Sequence, residues 1–160
     1  MGIFDKLRRS GLTVLAPLDG EVVPISQVPD PTFSEELLGK GVAIKPASSR
    51  VCAPFDGTVS MMFATGHAVS LVSSSGIELL IHIGLETVSL KGRHFTILAN
   101  SGDQVRAGQP LILFEREAIA AEGFNLITPL VVCNSGDYAQ VEAKTGRTVH
   151  TGDPLLELSR

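Results

Sequence analysis

Apolar residues along this chain come in short runs, broken at close intervals by Gly, Pro, Asp and Ser. His67 to Val72 (HAVSLV) and Ile77 to Ile83 (IELLIHI) read as strands, with the small polar cluster Ser73 to Gly76 as the turn between them. Leu111-Ile112-Leu113-Phe114 and Leu155-Leu156-Glu157-Leu158 read as two more strands. Two internal echoes order these runs. APLDGEV at 16–22 recurs as APFDGTV at 53–59, each a Pro/Asp/Gly turn leading into a strand. GDQVRAGQPL at 102–111 recurs as GRTVHTGDPL at 146–155, and each copy predicts a turn, a short strand, a second turn and an apolar strand. The echoes keep no fixed period, which argues against a solenoid. Turn signals roughly every 8–12 residues predict an antiparallel all-β sandwich or barrel.

Helical pattern is scarce. Glu115 to Glu122 predicts a short helix ended by Gly123, and Ser34 to Leu38 predicts one turn with Ser34 as N-cap and Gly39 as terminator. At the N-terminus, Ile3, Phe4 and Leu7 share one helical face opposite Asp5, Lys6, Arg8 and Arg9. Such a basic amphipathic segment can lie on an anionic membrane, and a frayed tail or a helix packed on the body is the other reading. Residues 1–10 are therefore set apart as a tail or short amphipathic helix, and residues 11–160 as one domain.

Composition narrows the picture. With 44% hydrophobic and 19% charged residues in 160, the chain is globular in character. A net charge of −4 without a basic stripe argues against a nucleic-acid partner. No apolar run approaches the roughly 18 residues of a membrane span. MGIFDKLRRS lacks the apolar core of a secretory signal, so the expected location is cytoplasmic, with peripheral contact at the inner face of the membrane through residues 1–10. Cys52 and Cys133 are expected as free thiols in apolar surroundings.

The chemistry lies in the hairpin. A turn centred between Ser74 and Ser75 sets Val72 opposite Ile77, Val69 opposite Leu80, and His67 opposite His82. The two imidazoles then become cross-strand neighbours, with Cβ atoms about 4.5–5.5 Å apart. In that register Ala68, Ser70, Val72, Ile77, Leu79 and Ile81 face the core. Val69, Leu71, Glu78 and Leu80 share the histidine face, an apolar patch suited to contact. Three readings of the pair stand. Two His form half of a zinc shell, with Glu78 and Glu86 as nearby candidates for a further ligand. Alternatively, one imidazole is a nucleophile and the other an orienting donor. Or both are structural. His94 and His150 read as surface histidines.

The segments MGIFDKL, APLDGEVV, GVAIKP, APFDGTV, GHAVSL, GIELLIHIGLETVSLKG and VHTGDPLLEL resemble, along nearly the whole chain, the glucose-type enzyme IIA of the bacterial phosphoenolpyruvate-dependent sugar phosphotransferase system. The resemblance implies an antiparallel β-sandwich with short helical segments, of the duplicated hybrid motif (barrel-sandwich hybrid) type. It implies a phosphocarrier that requires no cofactor. Such a protein takes a phosphoryl group from the phosphohistidine of the phosphocarrier protein HPr and passes it to a cysteine of enzyme IIB, within the IIB/IIC sugar permease. The family's phosphorylated histidine falls on His82, its supporting histidine on His67, its nearby threonine on Thr65, and its docking phenylalanines on Phe33 and Phe63. Val69 and Leu80 are expected to add to a shallow contact patch, and Glu86 to meet a basic partner. In enteric members the unphosphorylated form also inhibits sugar permeases and glycerol kinase, so these stand as candidate regulatory targets. Zinc held by His67 and His82 with a ligand from a partner is a further candidate.

Three other classes compete: a purely regulatory binding module, a duplicated-hybrid zinc peptidase, and a lipoyl- or biotin-type carrier. The peptidase needs an H-x-H pair, and the residue two after His82 is Gly84. The carrier needs a lysine at a hairpin tip, and Ser73 to Gly76 carries none.

Overall fold

The computed structural model describes residues 12–160, so the segment set apart at 1–10, and any membrane contact through it, lie outside the described residues. Fourteen strands follow one another there: β1 (Thr13–Leu15), β2 (Gly20–Pro24), β3 (Lys40–Pro46), β4 (Arg50–Cys52), β5 (Gly57–Met62), β6 (Ala68–Ser73), β7 (Glu78–His82), β8 (Phe95–Ile97), β9 (Gln104–Val105), β10 (Pro110–Phe114), β11 (Thr128–Val132), β12 (Gln140–Ala143), β13 (Arg147–Val149) and β14 (Pro154–Ser159). Two short helices accompany them, α1 (Pro31–Ser34) and α2 (Arg116–Ala121).

The strands form an eight-stranded sheet in the order β13-β2-β3-β11-β7-β6-β5-β9 and two three-stranded sheets, β1-β14-β12 and β4-β10-β8. Every pairing is antiparallel, and the sheets do not close into a barrel. The order is nearly symmetric, and the echoes explain why. Each Pro/Asp/Gly echo feeds a strand one place in from an edge of the large sheet, β2 and β5. Each G-x-x-V-x-x-G echo supplies the edge strand beside it, β13 and β9, and then the middle strand of a small sheet, β14 and β10.

The two kinds of echo lock together crosswise. Asp19 of the first Pro/Asp/Gly copy accepts from Thr151 N–H at 2.7 Å in the second G-x-x-V-x-x-G copy, and Gly152 N–H donates to Ala16 O at 2.9 Å. Asp56 accepts from Ala107 N–H at 2.8 Å, and Gly108 N–H donates to Ala53 O at 2.8 Å. The duplicated motif is thus one folded unit, since each half of one echo is completed by the distant copy of the other.

The core lies between the sheets. Its largest cluster joins Val14, Leu18, Ile44, Leu71, Leu79, Ile81, Leu111, Ile112, Leu130 and Leu156, all at 1% exposure or less. β11 is buried at all five positions, which suits the near-continuous apolar run TPLVV in the middle of the sheet.

The β6–β7 hairpin departs from the expected register by one residue. Ala68, not His67, pairs with His82, and Val69 pairs with Ile81. The cause is the turn. Ser73 N–H donates to Ile77 O at 2.9 Å, which leaves the three residues Ser74, Ser75 and Gly76 as the loop, with Gly76 at φ +97. A three-residue loop with a left-handed Gly is a standard hairpin closure, and it shifts the partner strand relative to a two-residue turn. A one-residue slip moves side chains to the opposite face. On β6 Val69 and Leu71 therefore join the main core cluster, not Ser70 and Val72, which are only partly buried; Ala68, beside His82 in the ladder, is 0% exposed, and Ile77, Leu79 and Ile81 point inward as expected.

Elsewhere the helix expected at 115–122 forms with Glu115 as N-cap, and Gly123 at φ +92 closes it by donating to Ala120 O. The turn expected at Ser34 to Leu38 instead ends near Ser34. Pro31 opens α1, and Asp30 caps it by accepting from Thr32 N–H at 3.0 Å. Cys52 is a buried free thiol, whereas Cys133 is a free thiol on a residue exposed to solvent.

Candidate functional site

His82 is the last residue of β7, and His67 sits in the bend just before β6. Outside the strand, His67 escapes the alternation that sends Val69 and Leu71 inward. The two rings meet edge to face with centroids 5.0 Å apart at 82°, so the histidines are neighbours despite the slipped register. The strands are stitched here by Ile83 N–H, which donates to His67 O at 2.8 Å.

Each imidazole is held at Nδ1. His82 Nδ1 lies 2.7 Å from Gly84 O. A carbonyl only accepts, so Nδ1 carries the proton and the neutral ring keeps its lone pair on Nε2. His67 Nδ1 is hydrogen-bonded to the Thr65 hydroxyl. When that hydroxyl donates, His67 carries its proton on Nε2. The pair then offers one unprotonated nitrogen and one N–H donor on neighbouring rings.

Burial keeps both rings neutral. His67 is 5% exposed, and burial, with the repulsion a protonated His82 would add, pushes its pKa down to about 4. His82 is lowered mainly by burial, against which the Gly84 hydrogen bond and the Asp30 carboxylate pull upward. Removal from water disfavours the imidazolium, which preserves the lone pair near neutral pH.

Of the other residues singled out in the sequence, Phe33 packs on His82 at 5.4 Å between ring centroids and Phe63 packs on His67 at 5.4 Å. Leu80 is partly exposed on the same face of the hairpin as His82, and Glu86 is exposed four residues beyond it. Val69 does not belong to the site. It is 0% exposed in the core, because the slipped register turns it inward, and it offers no surface to a partner.

The structure adds residues that the sequence reading passed over. Asp30 acts electrostatically on His82 and lines a hollow of about 550 Å³ with Leu85, Glu86, Phe124 and Asn125. Leu37 (68% exposed), Leu38 (42%) and Val88 (53%) are large apolar side chains in solvent, on the segments just after Phe33 and just after His82. The adjacent pair Leu37-Leu38, just beyond α1, was the only sequence signal for the leucines, and Val88 had none. A larger hollow of about 690 Å³ lined by Gly57, Ser73 and Arg106 sits at the opposite end of the β5–β6 ladder and has no part in this chemistry.

His94 is not a plain surface histidine. Its ring is paired with Glu122 and lies 3.5 Å from Glu115, while Arg93 bonds Glu122 at 2.7 Å. His150 is exposed, as expected. The histidine pair supplies two nitrogen ligands to a metal, and among the described residues no group of three or more His, Cys, Asp and Glu could hold one. Zinc there would need its remaining ligands from outside this part of the chain. No described helix is long and apolar enough to cross a membrane.

An imidazole with its lone pair on Nε2, a second imidazole beside it and exposed apolar side chains nearby suit a group passed between proteins. Residues 12–138 match the family described as phosphoenolpyruvate-dependent sugar phosphotransferase system, EIIA 1. The chain belongs to this family. As an EIIA chain it is a component of the sugar phosphotransferase system. The beta-glucoside-specific EIIBCA component of Dickeya chrysanthemi is 47% identical over 146 residues, covering 91% of this chain and 23% of that protein. This EIIA chain therefore spans about a quarter of the curated relative it matches. The solved glucose permease IIA from Mycoplasma capricolum superposes with a TM-score of 0.86 at 34% identity, covering 98% of each chain. The β-sandwich is shared with that structure.

Proposed function

We propose that His82 Nε2 of this EIIA chain is the atom that carries the phosphoryl group, that HPr is the donor and that an EIIB cysteine is the acceptor. The hydrogen bond from His82 Nδ1 to Gly84 O carries this reading, because it fixes the proton on the far nitrogen and leaves Nε2 free to attack. The donor's N–P bond breaks as the His82 Nε2–P bond forms, and the donor imidazole leaves with its electron pair. The product ring is positive, and its Nδ1–H keeps its contact with the Gly84 carbonyl. In the second transfer a cysteine thiolate forms the S–P bond as the His82 N–P bond breaks. Neither step needs water or an electron carrier.

His67, with its proton on Nε2, donates to an oxygen of the phosphoryl group as it moves. Thr65 holds His67 in that tautomer. Phosphoryl transfer depends on alignment and charge stabilisation, and this pair supplies both. Phe63, Leu37, Leu38, Leu80 and Val88 form the apolar contact surface, while Phe33, buried at 5% exposure, backs the His82 ring from within and offers little surface to a partner. Asp30 and Glu86 favour a basic rim on the partner.

The test is intact mass spectrometry of the wild type and His82→Ala after incubation with phosphoenolpyruvate, enzyme I and HPr. One acid-labile phosphate on the wild type and none on the variant is the expected result. Stoichiometric phosphate on His82→Ala would remove His82 from the role.

A further inference from the structure

The proton on His82 is assigned by one peptide oxygen, so whatever orients that oxygen also sets the nucleophile. The Gly84–Leu85 peptide unit is held at both ends. Its carbonyl accepts from His82 Nδ1 at 2.7 Å, and its N–H donates to Asn125 O at 2.9 Å. Two units upstream, the peptide N–H of Ile83 donates to His67 O at 2.8 Å. Between them lies the Ile83–Gly84 unit, and a side chain holds that one. The Thr87 hydroxyl donates to Ile83 O at 2.5 Å.

Thr87 uses both of its branches. It is 0% exposed, and its methyl group lies so close to Gly84 that a Cβ on Gly84 would come within 2.8 Å of it. Gly84 stands at φ +73, in a region where glycine turns freely, so the loop by itself does not fix the direction of its carbonyl. The hydroxyl pins the peptide before Gly84, and the methyl group blocks the space into which the loop would relax.

We infer that Thr87 is a positioning residue for His82: it orients the Gly84 carbonyl and thereby keeps the His82 lone pair on Nε2. The inference rests on the reading of His82 as phosphoryl acceptor. Without the hydroxyl, the buried Ile83 carbonyl loses its partner and the loop rotates to recover one. The Gly84 oxygen then leaves Nδ1. A neutral imidazole freed of such a bond prefers its proton on Nε2, the nitrogen that has to attack.

Thr87→Val removes the hydroxyl and keeps the branched shape, whereas Thr87→Ser keeps the hydroxyl. Long-range proton–nitrogen NMR spectra of nitrogen-15-labelled protein read the tautomer of each histidine, and phosphate uptake from phosphorylated HPr gives the rate. The wild type and Thr87→Ser are expected to show His82 protonated at Nδ1. Thr87→Val is expected to show mainly the Nε2–H form, about ten-fold slower uptake, and an unchanged His67 signal. A Thr87→Val protein with a lower melting temperature but the wild-type tautomer and rate would overturn the inference, since Thr87 would then be structural only. If Thr87→Val does not fold, Thr87→Cys, a weaker donor of similar size, carries the same comparison. An unshifted His82 tautomer there would again overturn it. The tautomer readout needs no phosphoryl donor, so a wild type that takes no phosphate would defeat the acceptor reading and leave this test intact.

Discussion

His67 and His82 touch edge to face at 5.0 Å between ring centroids, although the hairpin pairs His82 with Ala68. Their contact comes from the bend before β6, not from the ladder. The strand fixes His82, while His67 depends on Thr65 and Phe63 for its orientation.

This asymmetry predicts unequal effects of mutation. His67→Ala leaves the His82 nucleophile and its Gly84 contact in place, so phosphate acceptance reaches one equivalent at the end point. Onward transfer loses the donor that stabilises the moving phosphoryl group and slows by about 10²-fold. Quench-flow measurement of phosphate passing to a IIB domain checks this. Wild-type onward rates in His67→Ala would remove the residue from the transfer step.

Acid should weaken the fold through the same residue. Burial pushes the folded His67 pKa down to about 4, against about 6.5 for a free imidazole. Between those values the unfolded chain binds the extra proton and the folded chain does not. Stability from this group is therefore complete above about pH 6.5 and is lost as pH falls towards 4, up to about 3 kcal/mol across the window. Urea unfolding at pH 4.5 and 7 should show a smaller difference for His67→Gln than for the wild type. Equal pH dependence in the two would contradict the burial of a neutral ring.

The two thiols should separate cleanly. Cys133 is exposed and Cys52 is 2% exposed. Burial raises the Cys52 thiol pKa, with Arg50 pulling it back down; at Cys133, whose sulfur is only partly covered, that partial desolvation and the Glu78 charge raise it. Reaction with a chromogenic disulfide at pH 8 should titrate one thiol slowly in the native protein and a second only in denaturant. Two native equivalents would show that the β4 region opens readily.

Much of this was legible before any coordinates. The four echo segments carried the architecture, because Pro/Asp/Gly turns and their apolar strands are local signals. The two histidines were legible as neighbours from the hairpin pattern and the two phenylalanines through the family resemblance, and the structure brings Phe33 and Phe63 against the rings. The crosswise locking of Asp19 with Thr151 and of Asp56 with Ala107 was not legible, since it joins segments 132 and 51 residues apart. The hairpin register was missed because SSSG admits a two- or a three-residue loop, and a side-chain pattern cannot choose between them. Val69 was misplaced as a consequence. Thr87 was hidden for another reason: a lone Thr three residues beyond a Gly announces nothing until its hydroxyl is seen to meet a carbonyl four residues back.

The last prediction contrasts two left-handed glycines at opposite ends of β7. Gly76 (φ +97) would place a Cβ in open space, whereas Gly84 (φ +73) would place one 2.8 Å from Thr87 Cγ2 and 2.9 Å from Asn125 O. Gly76→Ala thus carries only the backbone penalty, roughly 1–2 kcal/mol, and leaves phosphate uptake at the wild-type rate. Gly84→Ala carries that penalty and a clash with both supports of the Gly84 carbonyl, so stability falls further and uptake slows by at least about ten-fold. Thermal melts and uptake rates of the two variants side by side check this. If Gly84→Ala kept full uptake, the carbonyl at Gly84 would not be what holds the His82 proton in place.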